Sequence, residues 1–135
     1  MIDFENDYLH IWVDQEVHLM HSDWLRKVSS EEYRQGNDIL INILRQYDIR
    51  YWIADSSKLG DITKEDQLYT IQVMVPQIGS TGLKKIGRIS GEDRVSIQKF
   101  REFMAKAVTP ELKDLEVRQF ESYKEAADWI GNIHP

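Results

Sequence analysis

Tyr51-Trp52-Ile53-Ala54-Asp55-Ser56-Ser57-Lys58-Leu59-Gly60 passes from a solid apolar stretch into an acid, two hydroxyls, a lysine and a glycine. A strand that is apolar on both sides belongs in the middle of a sheet, with helices covering both faces. Its abrupt end in turn-forming residues puts Asp55 to Gly60 at the carboxyl end of that strand. Open α/β sheets bind ligands at such ends. The fold then depends on whether helices and strands alternate around this segment.

They do. Upstream, Ser29-Ser30-Glu31-Glu32 has the form of a capping box, Ser29 to Glu32, and Tyr33, Leu40, Ile43, Leu44 and Tyr47 follow at helical spacing. Downstream, Thr63-Lys64-Glu65-Asp66 offers a second cap, and Leu68, Ile71, Val75 and Ile78 continue a helical stripe that Pro76 should kink or end. Gly79 and Gly82 mark a loop before a short strand, Lys85 to Ile89. Gly91-Glu92-Asp93 should open a third helix, striped by Ile97, Phe100, Met104 and Ala107 and closed before Pro110. Leu115 to Phe120 reads as the last strand, and a box from Ser122 to Glu125 opens a helix with Ala126, Trp129 and Ile130 inward.

The beginning alternates instead. Leu9, Ile11 and Val13 point one way, with Tyr8, His10 and Trp12 opposite, and Val17 and Leu19 then alternate with His18 and Met20. Period two on either side of Asp14-Gln15-Glu16 predicts an antiparallel hairpin, which a three-residue turn would register with Val13 beside Val17 and Ile11 beside Leu19. The order ββαβαβαβα is that of an α/β domain. An N-terminal antiparallel hairpin at the sheet edge precedes βαβαβα crossovers, giving a mixed, mainly parallel sheet of about five strands with about four helices.

The bulk numbers narrow the field. A chain of 135 residues fits one domain, 1–135, with a core of its own. With no cysteine there are no disulfides or thiolate sites, consistent with a cytoplasmic setting. No stretch is long and apolar enough to cross a bilayer, and the acidic start is unlike a signal peptide. The net charge is −6, from 17 basic and 23 acidic residues, and the local basic excess is confined to Lys84, Lys85 and Arg88. Nucleic acid and anionic membranes are disfavoured as partners.

The element order, together with Phe120-Glu121-Ser122-Tyr123-Lys124-Glu125-Ala126-Ala127-Asp128-Trp129, resembles the SpoIIAA-like fold shared by STAS domains, such as anti-anti-sigma factors and sulfate-transporter cytoplasmic domains. In anti-anti-sigma factors the strand-to-helix turn reads Asp-Ser-Ser/Thr-Gly-Leu-Gly, and a partner kinase phosphorylates the first hydroxyl. Asp55, Ser56, Ser57, Leu59 and Gly60 agree with that pattern; Lys58 replaces its glycine, and the next helix cap, Thr63, comes several residues late. The resemblance implies a regulatory, protein-binding domain whose switch would be Ser56.

Read as chemistry alone, Asp55, Ser56, Ser57 and Lys58 are a phosphorylation site, a ligand contact or simply a turn whose side chains bond their own backbone. No Gly-x-Ser-x-Gly elbow is present, and Gly79-Ser80-Thr81-Gly82-Leu83-Lys84-Lys85 lacks P-loop spacing and feeds a strand. His10 and His21 could face each other in some hairpin registers, yet two histidines without a fixed third ligand make no zinc site. Acids at Glu31/Glu32, Glu65/Asp66 and Glu92/Asp93 suit helix N-termini rather than acid/base catalysis. Trp52 and Trp129 belong to faces that should be buried, whereas Tyr8, His10, Trp12 and Trp24 on the hairpin and its exit are candidates for an interaction surface. The expected function is non-enzymatic protein binding, to a partner or a second copy through the hairpin edge, without catalytic residues, metal or cofactor. The alternative is carriage of a small apolar ligand or lipid between apolar helices such as Leu68–Ile78 and Ile97–Ala107, as in lipid-transfer proteins of related fold.

Overall fold

The structure, a computed structural model, describes residues 2–90, 98, 102, 105 and 114–131. Six strands form one sheet in chain order: β1 (Ile2–Glu5), β2 (Leu9–Asp14), β3 (Leu19–Trp24), β4 (Tyr51–Asp55), β5 (Lys85–Ile89) and β6 (Glu116–Phe120). The β1–β2 and β2–β3 pairs are antiparallel, and β3–β4, β4–β5 and β5–β6 are parallel. The helices are α1 (Ser30–Gln46), α2 (Lys64–Tyr69), α3 (Val75–Gly79) and α4 (Tyr123–Ile130). Gln98, Glu102 and Ala105 are helical and exposed, while the expected stripe Ile97, Phe100, Met104 and Ala107 lies outside the described residues.

Parallel strands added in one direction by right-handed crossovers put the helices between them on one face, and α1, α2 and α3, between β3 and β5, share a core. That face holds the larger core, where Tyr33, Leu40, Ile41 and Leu44 of α1 meet Leu9, Ile11, Val13, Met20, Trp24 and Trp52. Among the described residues the other face is covered by α4, whose Ala126, Ala127 and Ile130 pack on Leu19, Ile53 and Ile89. β4 is therefore apolar on both sides for the reason its sequence suggested. Trp52 belongs to one core and Ile53 to the other. Two glycines stand at close approaches, Gly36 the tighter. A Cβ on Gly36 would lie 2.5 Å from Trp24 Cη2, and one on Gly87 would lie 3.1 Å from Ala126 Cβ.

The capping box at α1 is formed as read. Glu32 N–H donates to Ser29 Oγ (3.1 Å) and Ser29 N–H donates to Glu32 Oε1 (2.9 Å). Thr63 and Ser122 likewise accept from the N–H groups of Asp66 and Glu125.

Three expectations are corrected. First, the hairpin is not an edge, because β1 pairs along β2 and β4 along β3; the short Ile2–Glu5 strand is the antiparallel rim. Second, the turn between β2 and β3 spans Gln15–His18, and the pairs are Val13 with Met20, Ile11 with Ser22 and Leu9 with Trp24. His18 takes a left-handed φ of 58°, and its carbonyl accepts from Arg50 and Tyr51 N–H (2.9 and 3.1 Å), so the turn is fixed by the start of β4. The shift from Val17 to Met20 is odd, so it reverses every side chain of β3. Third, Leu68 is 54% exposed while Met74 and Val75 are buried. The turn Thr70–Met74 is a π-helix, with Val75 N–H bonded to Thr70 O. Its extra residue accommodates Pro76 within the helix and rotates the apolar stripe.

Candidate functional site at the carboxyl ends of β3 and β4

The Asp55–Gly60 turn is built around its acid. Asp55 Oδ1 accepts from Ser57 N–H (3.0 Å) and Ser57 Oγ–H (2.6 Å), Ser56 N–H donates to Ile89 O (2.8 Å), and Leu59 N–H donates to Ser56 O (3.2 Å). This is an Asx turn, the conformation that an Asp followed by hydroxyls favours. α2 starts only at Lys64, so Ser56 does not sit on a helix N-terminus. Ser56 is half-buried, Ser57 and Lys58 are exposed, and Lys58 Nζ reaches Asp23 Oδ2 at 3.7 Å.

The register extends this turn into a surface. His10, Asp23 and Asp55 are lateral neighbours on β2, β3 and β4; one row away stand Trp12, His21 and Ile53. All six side chains lie on the α4 side of the sheet, as alternation requires. His21 packs edge-on against Trp12 (centroids 4.8 Å, 84°) and beside Tyr123 from the first turn of α4 (5.1 Å). Both ring nitrogens of His21 are buried without a hydrogen-bond partner, and so is Asp23 Oδ1. Burial holds the His21 pKa below its ordinary 6.5; Asp23 and Asp55 oppose that shift and His10 adds to it. His10 Nε2 lies 2.9 Å from Asp3 Oδ1 on the neighbouring strand. The surface is thus a neutral aromatic cluster bordered by Asp3, Asp23 and Asp55, with Lys58 at its rim.

Of the residues singled out from sequence, Asp55, Ser56, Ser57, Lys58, His10 and Trp12 come together here. Tyr8 and Trp24 do not. They are 7% and 4% exposed and stack in the α1-side core (6.1 Å), where Trp24 also stacks on Tyr33 (5.8 Å). The reversed register of β3 explains Trp24, since it now shares a face with Leu9. His21 is opposite Trp12, and His10 opposite Asp23, so the two histidines do not face each other. Among the described residues no group of three or more His, Asp or Glu side chains could hold a metal ion. Sequence reasoning missed His21, Asp23 and Tyr123 as members of the surface. The first two follow from the register, and Tyr123 arrives from the far end of the chain.

Two other places carry polar groups. On the α1 face, burial lowers the pKa of Arg88 and raises that of Tyr33, whose hydroxyl meets Thr70 Oγ1 at 2.8 Å. At the opposite, amino ends of the strands, a shallow depression is lined by Tyr51, Thr81, Gly82 and Leu83 together with the charged Lys84, Lys85, Asp114 and Glu116. Among the described residues no helix is long and apolar enough to cross a membrane.

A mixed sheet in this order, with α4 on its second face, is the SpoIIAA-like α/β fold. A similar structure is a crystal structure of an uncharacterized protein of the DUF3478 family with a SpoIIAA-like fold, from Shewanella loihica PV-4. The likeness covers 93% of this chain and 97% of that one, with a TM-score of 0.59 and 19% sequence identity, and speaks for the fold alone. No protein-family model matches the sequence, and no curated protein matches it closely.

Proposed function

We propose that this SpoIIAA-like domain acts by binding a protein, without catalysis, and that the partner sits on the α4-side surface at the ends of β3 and β4. One observation carries the reading: α4 packs on β4, β5 and β6, while Trp12 and Tyr123 remain half-exposed over β2 and β3, beside the Asp55–Lys58 turn. Half-exposed aromatics grouped around a desolvated centre are what protein interfaces use as anchors. The acids Asp3, Asp23 and Asp55 around them, in a chain of net charge −6, favour a basic contact region on the partner.

The turn is the natural point of regulation in this reading. A phosphate on Ser56 would add about −1.5 to −2 charges beside Asp55, with Lys58 as the nearby cation. It would deepen the acidity of the surface and strengthen its attraction for a basic partner. The test is affinity capture from the source cell with the wild type, Ser56→Asp and Trp12→Ala, with circular dichroism confirming the fold of each. The same partner should be recovered with the wild type, in greater amount with Ser56→Asp and in lesser amount or not at all with Trp12→Ala. Identical recovery by all three proteins defeats the proposal.

A further inference from the structure

The free edge of β6 has its own message. Among the described residues no strand lies beyond it. Glu116 N–H donates to Lys84 O (3.0 Å) and Ser90 N–H donates to Phe120 O (3.3 Å), so Glu116 and Phe120 turn their backbone groups toward β5. In a parallel pair, alternate residues bond alternate neighbours. Leu115, Val117 and Gln119 therefore present their N–H and C=O groups to the outside. Such a row is a template for another strand. The opposite rim, β1, is short and carries exposed Asp3 and Glu5, whose charges repel a second acidic chain.

We propose that β6 pairs antiparallel with β6 of a second copy of this chain, in the register centred on Val117. Outward-facing residues must oppose outward-facing residues, so the two-fold registers within the strand are centred on residue 116, 117, 118 or 119, the last setting Arg118 opposite Phe120. Centring on 116 sets Glu116 against itself, and centring on 118 sets Arg118 against itself. Only the register centred on Val117 places Glu116 opposite Arg118 of the second copy, and it does so twice. Those two residues form a pair without backbone bonds between them, the position where cross-strand side chains approach most closely. Both are exposed on the α4 face, and Arg118 is already steadied by the Trp129 ring, 5.4 Å from its guanidinium carbon. Val117 meets its own copy on the opposite face, and Leu115 bonds Gln119. The product is one continuous sheet through both chains.

Charge reversal tests both partner and register. By sedimentation and native mass spectrometry over a dilution series, the wild type should dimerise. Glu116→Arg sets arginine against arginine, Arg118→Glu sets glutamate against glutamate, and each should weaken the dimer on the order of tenfold or more. An equimolar mixture of the two variants restores both opposite-charge pairs and should form heterodimers at near wild-type concentration. A wild type that stays monomeric at every concentration, as it would if this edge received a different protein, overturns the proposal. So do single variants that dimerise like the wild type, or a mixture that stays monomeric. Circular dichroism of each variant distinguishes lost pairing from lost folding.

Discussion

His21 should make the folded state sensitive to mild acid. Its imidazole is wedged between Trp12 and Tyr123, with both nitrogens buried and unpartnered, and burial holds its pKa below the ordinary 6.5. The unfolded chain takes up a proton near pH 6.5 while the folded chain does not. Stability from this group is therefore complete above about pH 6.5 and falls as pH drops toward the folded pKa, with a limiting slope of about 1.4 kcal/mol per pH unit. Between about pH 7.5 and 5.5 the loss can reach about 1.4 kcal/mol if His21 stays neutral when folded. The groups facing the ring set the size of the effect: Asp23 and Asp55 reduce it, and His10 increases it. Urea unfolding of the wild type and of His21→Phe, each measured across this range, isolates the contribution of the ring and its coupled neighbours, because titrations remote from it are common to both. The gap in unfolding free energy should shift against the wild type as pH falls. Parallel curves for the two proteins would refute the argument that His21 is held neutral by its surroundings.

Four further outcomes rest on packing, hydrogen bonding, ion pairing and capping. Gly36→Ala, which drives a Cβ to 2.5 Å from the Trp24 ring, should cost about 1–3 kcal/mol in urea unfolding. Trp52 Nε1–H donates to the buried Ser22 Oγ at 2.9 Å, so Trp52→Phe should cost about 1–3 kcal/mol, much of it recovered in the double variant with Ser22→Ala. Lys58→Ala removes an exposed pair at 3.7 Å and should move the thermal midpoint little, with less than about 1 kcal/mol lost, whereas Ser29→Ala should cost about 1 kcal/mol through the α1 cap.

What the sequence disclosed was local, and what it concealed was set by distant partners. The caps at Ser29, Thr63 and Ser122 announce themselves within four residues, and Tyr51–Ala54 shows its two-sided burial in its own composition. The β2–β3 register does not. It turns on His18, whose ring Nδ1 lies 3.0 Å from Asp48 O and whose carbonyl receives the start of β4, contacts spanning some thirty residues of chain. From that one uncertainty follow the misplaced faces of Trp24 and Leu19 and the unforeseen pairing of Trp12 with His21. Pro76 signalled a disturbance correctly, but whether a helix answers a proline by stopping or by widening depends on what it packs against. Half of the candidate surface was therefore visible as the Asp55 turn, with His10 and Trp12 beside it. The rest needed the sheet to be laid out.

A sheet whose spatial order repeats its order along the chain has a consequence for biogenesis. Each strand, as it leaves the ribosome, finds its neighbour already made, so the β1–β3 meander can form first and later strands add to it one at a time, with no insertion between existing neighbours. Helices α1 to α3 arrive with their strands, whereas α4, which packs on Leu19, Ile53 and Ile89, follows β6. Until then Leu19, Ile53 and Ile89 lack that cover, and the nascent chain is most prone to stick to its surroundings in the interval between the synthesis of β6 and that of α4.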